Sequence, residues 1–70
     1  MTPLESDVDS AAYEALVKHN PMLVAAIREA MGAGASPTEI EYRVARKYGA
    51  GQMSRNVRHA AEYMRRTNGA

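Results

Sequence analysis

Three breaks decide what this chain can fold into. Asn20-Pro21, residues 32–37 and residues 49–51 interrupt it at similar intervals, leaving four segments, each suited to one helix of a few turns. The residue before a proline is pushed out of the α region, so a helix ends at Asn20. Asn as N-cap and Pro21 at the first helical position then start the next one. Gly32 and Gly34 stop that helix, because glycine accepts the left-handed terminating conformation. Ser36-Pro37-Thr38-Glu39 is a capping box with proline at its first helical position. Gly49 and Gly51 stop the third helix. The predicted helices span residues 9–19, 21–31, 37–48 and 52–67. Residues 1–8 are expected as a flexible or frayed N-terminus, 9–67 as a single helical domain, and 68–70 as a frayed tail. An earlier start for the first helix stays open, since Thr2-Pro3-Leu4-Glu5 is a further capping box and Leu4, Val8, Ala12 and Leu16 keep a spacing of four. No segment alternates with period two, so no strand is predicted.

Each helix carries one apolar stripe. The stripes are Val8, Ala12, Ala15 and Leu16; Leu23, Ile27, Ala30 and Met31 with Val24 beside them; Ile40, Val44 and Tyr48; and Met53, Val57, Ala60, Ala61 and Met64. Composition shows how thin the core must be. Of 70 residues, 13 are alanine, and without these and Met1 only 18 larger apolar side chains remain, with no Phe or Trp among them. Small residues in the stripes let helix axes approach closely, which is how so few large ones can close a core. With no cysteine, a disulfide framework and a thiolate metal site are excluded. No apolar run is long enough to span a membrane, and the first residues lack the basic and apolar regions of a signal peptide. A soluble, intracellular (cytoplasmic) all-α domain is therefore expected: a small bundle of four short helices.

The net charge of +1 conceals a division. Residues 1–35 sum to −3 and residues 36–70 to +4. A basic half attracts phosphate, and a charged solvated face is its ordinary alternative. On the fourth helix, at 100° per residue, Val57, Ala60 and Met64 fall within about 40° of Met53. The opposite face holds Arg55, Arg58, His59, Glu62 and Arg66, with Arg65 on its rim. Arginine forms paired hydrogen bonds to phosphate or to guanine O6 and N7, and Asn56 on the flank suits an adenine edge.

The stretch from Glu41 to Met64 resembles the helix-turn-helix motif of DNA-binding proteins. Val44 occupies the apolar position of the first motif helix, Ala45 the position that needs a small residue, Tyr48 the next apolar position and Gly49 the turn glycine. The second half departs from the motif: Arg55 stands where a β-branched core residue belongs, and Val57 and Ala60 restore the pattern two residues later. The resemblance thus implies a C-terminal helix-turn-helix over about residues 37–67, with a longer turn. It implies that the third helix crosses the DNA backbone and the fourth enters the major groove. Candidate base contacts are Gln52, Ser54, Arg55, Asn56 and Arg58; candidate phosphate contacts are Tyr42, Arg43, Arg46, Lys47, His59, Arg65 and Arg66. Tyr42 lies opposite Ile40 and Val44, where it offers a hydroxyl to phosphate or an aromatic patch to a partner.

Other chemistries lack their parts. His59 and Glu62 share a helix face, but no further metal ligand accompanies them. The serines read as caps and turns, with no histidine and acid placed to activate them. Residues 32–35 lack the strand and the lysine of a phosphate-binding loop. Met22 falls off its helix's stripe, whereas Met31, Met53 and Met64 lie on theirs. Neither enzyme activity nor a cofactor, a metal or a small-molecule substrate is expected. The expected function is double-stranded DNA binding, as a small transcriptional regulator or accessory factor. Modules of this kind often act as dimers on paired half-sites, so a homodimer is a further expectation. The alternative is a protein-interaction module that binds and regulates a larger protein or assembly. RNA binding is the weaker third reading, since the few aromatics show no stacking pattern.

Overall fold

The computed structural model describes the backbone of residues 4–68 and the side chains of residues 8–67. Four helices follow one another: α1 (Leu4–His19), α2 (Pro21–Gly32), α3 (Pro37–Tyr48) and α4 (Gln52–Asn68). No strand occurs among the described residues. α1 starts at Leu4 rather than at Asp9, so the earlier start is the one adopted. The capping residues Thr2 and Pro3 lie outside the described residues, as do Gly69 and Ala70 of the expected tail.

The breaks work largely as their chemistry requires. The Ser36 hydroxyl accepts the Glu39 N–H at 3.2 Å, closing half of the capping box, and Pro37 follows it. The Glu39 carboxylate pairs with Arg43 instead of returning to Ser36. Asn20 stands at the N-cap of α2 but makes no side-chain cap bond; its carbonyl accepts from the N–H groups of Leu23 and Val24. Gly49 ends α3 at φ 98°, ψ 142°, a conformation that side chains with a Cβ rarely adopt, while its N–H reaches the Ala45 carbonyl at 2.8 Å.

α4 is the common support. α1 packs along it most extensively and α3 next, α2 touches it more lightly, and α1 and α3 do not meet. The surface that makes this possible is narrow: Val57, Ala60 and Ala61 are fully buried, with Met64 continuing the stripe. Leu16, Val24, Ile27, Ile40 and Val44 close onto it from the other three helices.

Four stripe positions differ from the expected ones. In α1, Val8 and Ala15 face solvent, and the inward face is Asp9, Ala12, Tyr13 and Leu16. These keep the i, i+3, i+4, i+7 spacing of a helix face, but two are polar-bearing residues whose partners lie on α4. Tyr13 stacks on Tyr63 with ring centroids 5.0 Å apart. In α3, Tyr48 is 59% exposed, because the stripe outruns the core at the helix end. In α4, Met53 is 38% exposed and Ser54 takes the inward position at 2%. The Ser54 hydroxyl accepts the Gly51 N–H at 3.1 Å and donates to the Gly51 carbonyl at 3.0 Å, which satisfies it without water.

Ile27→Ala removes a side chain that is 1% exposed and should cost about 2–5 kcal/mol in urea denaturation. Met22→Ala, on the surface, should stay within about 0.5 kcal/mol of the parent. Equal midpoints for the two variants would contradict the packing. Gly49→Ala meets no neighbouring atom, so its expected loss of about 1–3 kcal/mol comes from the backbone alone.

Candidate nucleic-acid interface

Whether a basic face can bind depends on which cations the fold has already engaged. Five ion pairs involve the expected contact residues. Arg58 Nε lies 2.9 Å from Glu41 Oε1 and ties α4 to α3, with both side chains about a third exposed or less. His59 Nδ1 and Arg66 Nη1 lie 2.8 and 2.7 Å from the two oxygens of Asp9 on α1. Arg43 pairs with Glu39 one turn earlier at 2.8 Å, and Arg65 with Glu62 at 2.8 Å. The last two are exposed pairs within single helices, and such pairs contribute little and exchange freely.

Arg46, Lys47 and Arg55 have no acidic partner among the described residues. The Arg46 guanidinium lies 5.7 Å from the centroid of the exposed Tyr42 ring, and the Lys47 ammonium 5.5 Å from that of Tyr48. Arg55 donates to Gln52 Oε1 at 3.3 Å, and Gln52 Nε2 donates to Asn56 Oδ1 at 3.0 Å. Polar side chains of the first turns of α4 therefore form one linked group of donors, across the turn at residues 49–51 from the basic end of α3.

The structure thus divides the expected contact residues. Gln52, Arg55 and Asn56 come together at the start of α4, with Tyr42, Arg46 and Lys47 on α3. Arg43 and Arg65 are exposed and loosely paired. Arg58, His59 and Arg66 hold helices to one another. Ser54 is a correction: buried and hydrogen-bonded to Gly51, it presents no group to a base. The stretch itself is of one sign: from Tyr42 to Ala61 there are five Lys and Arg residues and no Asp or Glu, with Glu39 and Glu41 just before it pairing with Arg43 and Arg58.

Asp9 was not among the candidates, and it organises much of the charge. Burial of its carboxyl favours the neutral acid. Hydrogen bonds from Arg66 and His59, reinforced by their charges, outweigh this and hold it below the ordinary value of 3.8. The available signal was a single acid at the first position of a helical i, i+3, i+4, i+7 face. Because an ionised carboxylate only accepts, His59 Nδ1 carries the proton of that bond. Arg66 takes the other oxygen, and no group of three His, Cys, Asp or Glu that could hold a metal ion occurs among the described residues.

Comparison with protein-family models, with curated proteins and with solved structures finds no match to the chain, so the functional reading rests on these residues.

A depressed carboxylate pKa has a definite sign. The stabilisation is complete above the unfolded-state value and is lost as pH falls through the lower folded-state value. Urea denaturation of the parent should therefore show stability declining from about pH 4 downward. Asp9→Asn should lose about 1–3 kcal/mol at pH 7 and show a shallower decline in acid. Parallel acid profiles for the two proteins would exclude Asp9 as the titrating anchor.

Proposed function

We propose that this chain binds double-stranded DNA through α3, α4 and the turn between them, as a small transcriptional regulator or accessory factor. The observation that carries the proposal is the acid-free run from Tyr42 to Ala61, in which Arg46, Lys47 and Arg55 have no acidic partner among the described residues. Unpaired cations leave a field that attracts a polyanion, and phosphate neutralisation supplies most of the affinity of such contacts.

The roles follow from the partners. Arg55, Gln52 and Asn56 are the candidates for base edges, since a guanidinium matches guanine and an amide matches adenine. Arg46, Lys47 and Tyr42 are the candidates for phosphate, with Arg43 and Arg65 able to leave their exposed partners. Arg58, His59 and Arg66 support the surface by fixing α4 against α3 and α1. The helix-turn-helix reading of residues 37–67 belongs to this proposal. Its support is the succession of α3, a three-residue turn and α4, together with the buried Val44, Val57 and Ala60 and the half-buried Ala45.

Titration into a labelled duplex at low and moderate salt tests the proposal. Binding should weaken steeply with salt, and Arg46→Ala and Lys47→Ala should each reduce the salt slope by about one. Arg55→Ala should weaken binding by about 1–3 kcal/mol. Arg66→Ala should act on thermal stability first. Absence of binding even at low salt, or equal affinity for the Arg55→Ala protein, would overturn it.

A further inference from the structure

A second surface of different chemistry lies near the basic end of α3. α2 and α3 both rest on α4 and scarcely touch one another. Between the start of α2, the end of α3 and the start of α4 they leave a groove of about 310 Å³, lined by Asn20, Met22, Leu23, Ala26, Tyr48 and Met53. Met22 is 82% exposed, and Tyr48 and Met53 are two of the stripe residues that failed to reach the core. Three large apolar side chains gathered in one exposed patch of so small a domain, two of them flexible methionines, have the character of an interaction surface.

Charge selects the occupant. The lining comes from two stretches, residues 15–28 and 42–61, and neither contains an Asp or a Glu. Together they carry seven Lys and Arg residues. Arg43 and Arg58 are paired with Glu39 and Glu41, and Arg28 lines a separate pocket, which leaves Lys18, Arg46, Lys47 and Arg55 without an acidic partner among the described residues. Lys47 lies over the Tyr48 ring, so a cation sits at the edge of the groove itself. A second copy using the same face would oppose these cations to their own kind, which disfavours symmetric pairing. DNA offers almost no apolar group to a methionine-lined groove. We infer that the groove is a docking site for an acidic amphipathic segment of a protein partner. One or two apolar side chains of that segment enter between Met22, Tyr48 and Met53, and its carboxylates meet the surrounding Lys and Arg. The inference stands apart from DNA binding, because it rests on the apolar lining.

The test uses three fluorescein-labelled 16-residue synthetic peptides and the full chain. The first places Leu at i, i+3, i+4 and i+7 with Glu elsewhere, the second replaces each Glu by Lys, and the third replaces each Leu by Ala. Fluorescence anisotropy should show the acidic Leu peptide binding roughly tenfold or more tighter than either control, since both its apolar face and its charge are required. Met22→Glu and Tyr48→Ala should each weaken that binding about fivefold or more with unchanged thermal stability, as expected for exposed anchors. No binding of the acidic Leu peptide, equal binding of the three peptides, or unaffected binding by both variants would overturn the inference. So would parent self-association that Met22→Glu abolishes, which would make the groove an interface between copies. A loss of duplex affinity in Met22→Glu without a loss of peptide affinity would assign the patch to DNA and overturn it too.

Discussion

Everything in this molecule depends on how closely three helices can approach α4. Val57, Ala60 and Ala61 have no exposed surface, and only Val57 among them is larger than alanine. Small side chains bring helix axes together, so that backbone and Cβ atoms supply dispersion contacts that bulky residues would supply in a larger core. The cost is intolerance. A larger side chain at Ala60 or Ala61, both without exposed surface, has no route to solvent and must be accommodated within the helix contacts, where overpacking is destabilising. Such a core also has little area to bury, so polar interactions along its seams carry more of the work than they would in a larger domain.

The α1–α4 seam shows this most plainly. Among its described side chains, α1 brings only Ala12 and Leu16 as buried apolar residues, yet it is the helix most extensively packed on α4. Asp9 and Tyr13 complete its inward face, the first bonded to His59 and Arg66 and the second stacked on Tyr63. This seam also shapes the basic surface. By engaging His59 and Arg66, α1 removes an imidazole and a guanidinium from the outward face of α4, and Glu41 engages Arg58 in the same way from α3. What remains unpaired lies toward the start of α4 and the end of α3, a smaller and more localised cationic region than the helix composition suggests.

How much of this was legible follows from which residues carry their own instructions. Helix existence and most boundaries were readable because Pro21, Pro37, Gly49 and Gly51 act locally, through backbone geometry that needs no tertiary context. The stripes of α2 and most of α4 were readable because their inward residues are apolar. Asp9 and Ser54 were missed for the converse reason. Each is polar and buried, made tolerable by partners that periodicity does not reveal: one fifty residues distant, the other three residues earlier in the chain. Met53 and Tyr48 were misplaced inward because a hydrophobic pattern reports which face is apolar and not where along the helix the core stops. Of the interface candidates, residue type was readable and availability was not, since an arginine that holds two helices together looks the same in a sequence as one that is free.

The same distinction explains why the basic region and the apolar groove lie near one another. Toward the pole where α2 and α4 begin and α1 and α3 end, the stripe on α4 passes from Val57 through Ser54 to the turn at Gly51, and α1 does not pack against α3. Tyr48 and Met53 therefore extend past the point where the core closes, and the exposed Met22 lines the same groove. Carboxylates are absent from the same stretches, and although Glu39 and Glu41 reach in to Arg43 and Arg58, Arg46, Lys47 and Arg55 have no acidic partner among the described residues. A domain of marginal stability keeps exposed methionines and uncompensated arginines only at some cost in solubility and self-repulsion. Their coincidence beyond the point where the core closes leaves the Asp9 seam and the alanine stripe to hold the rest.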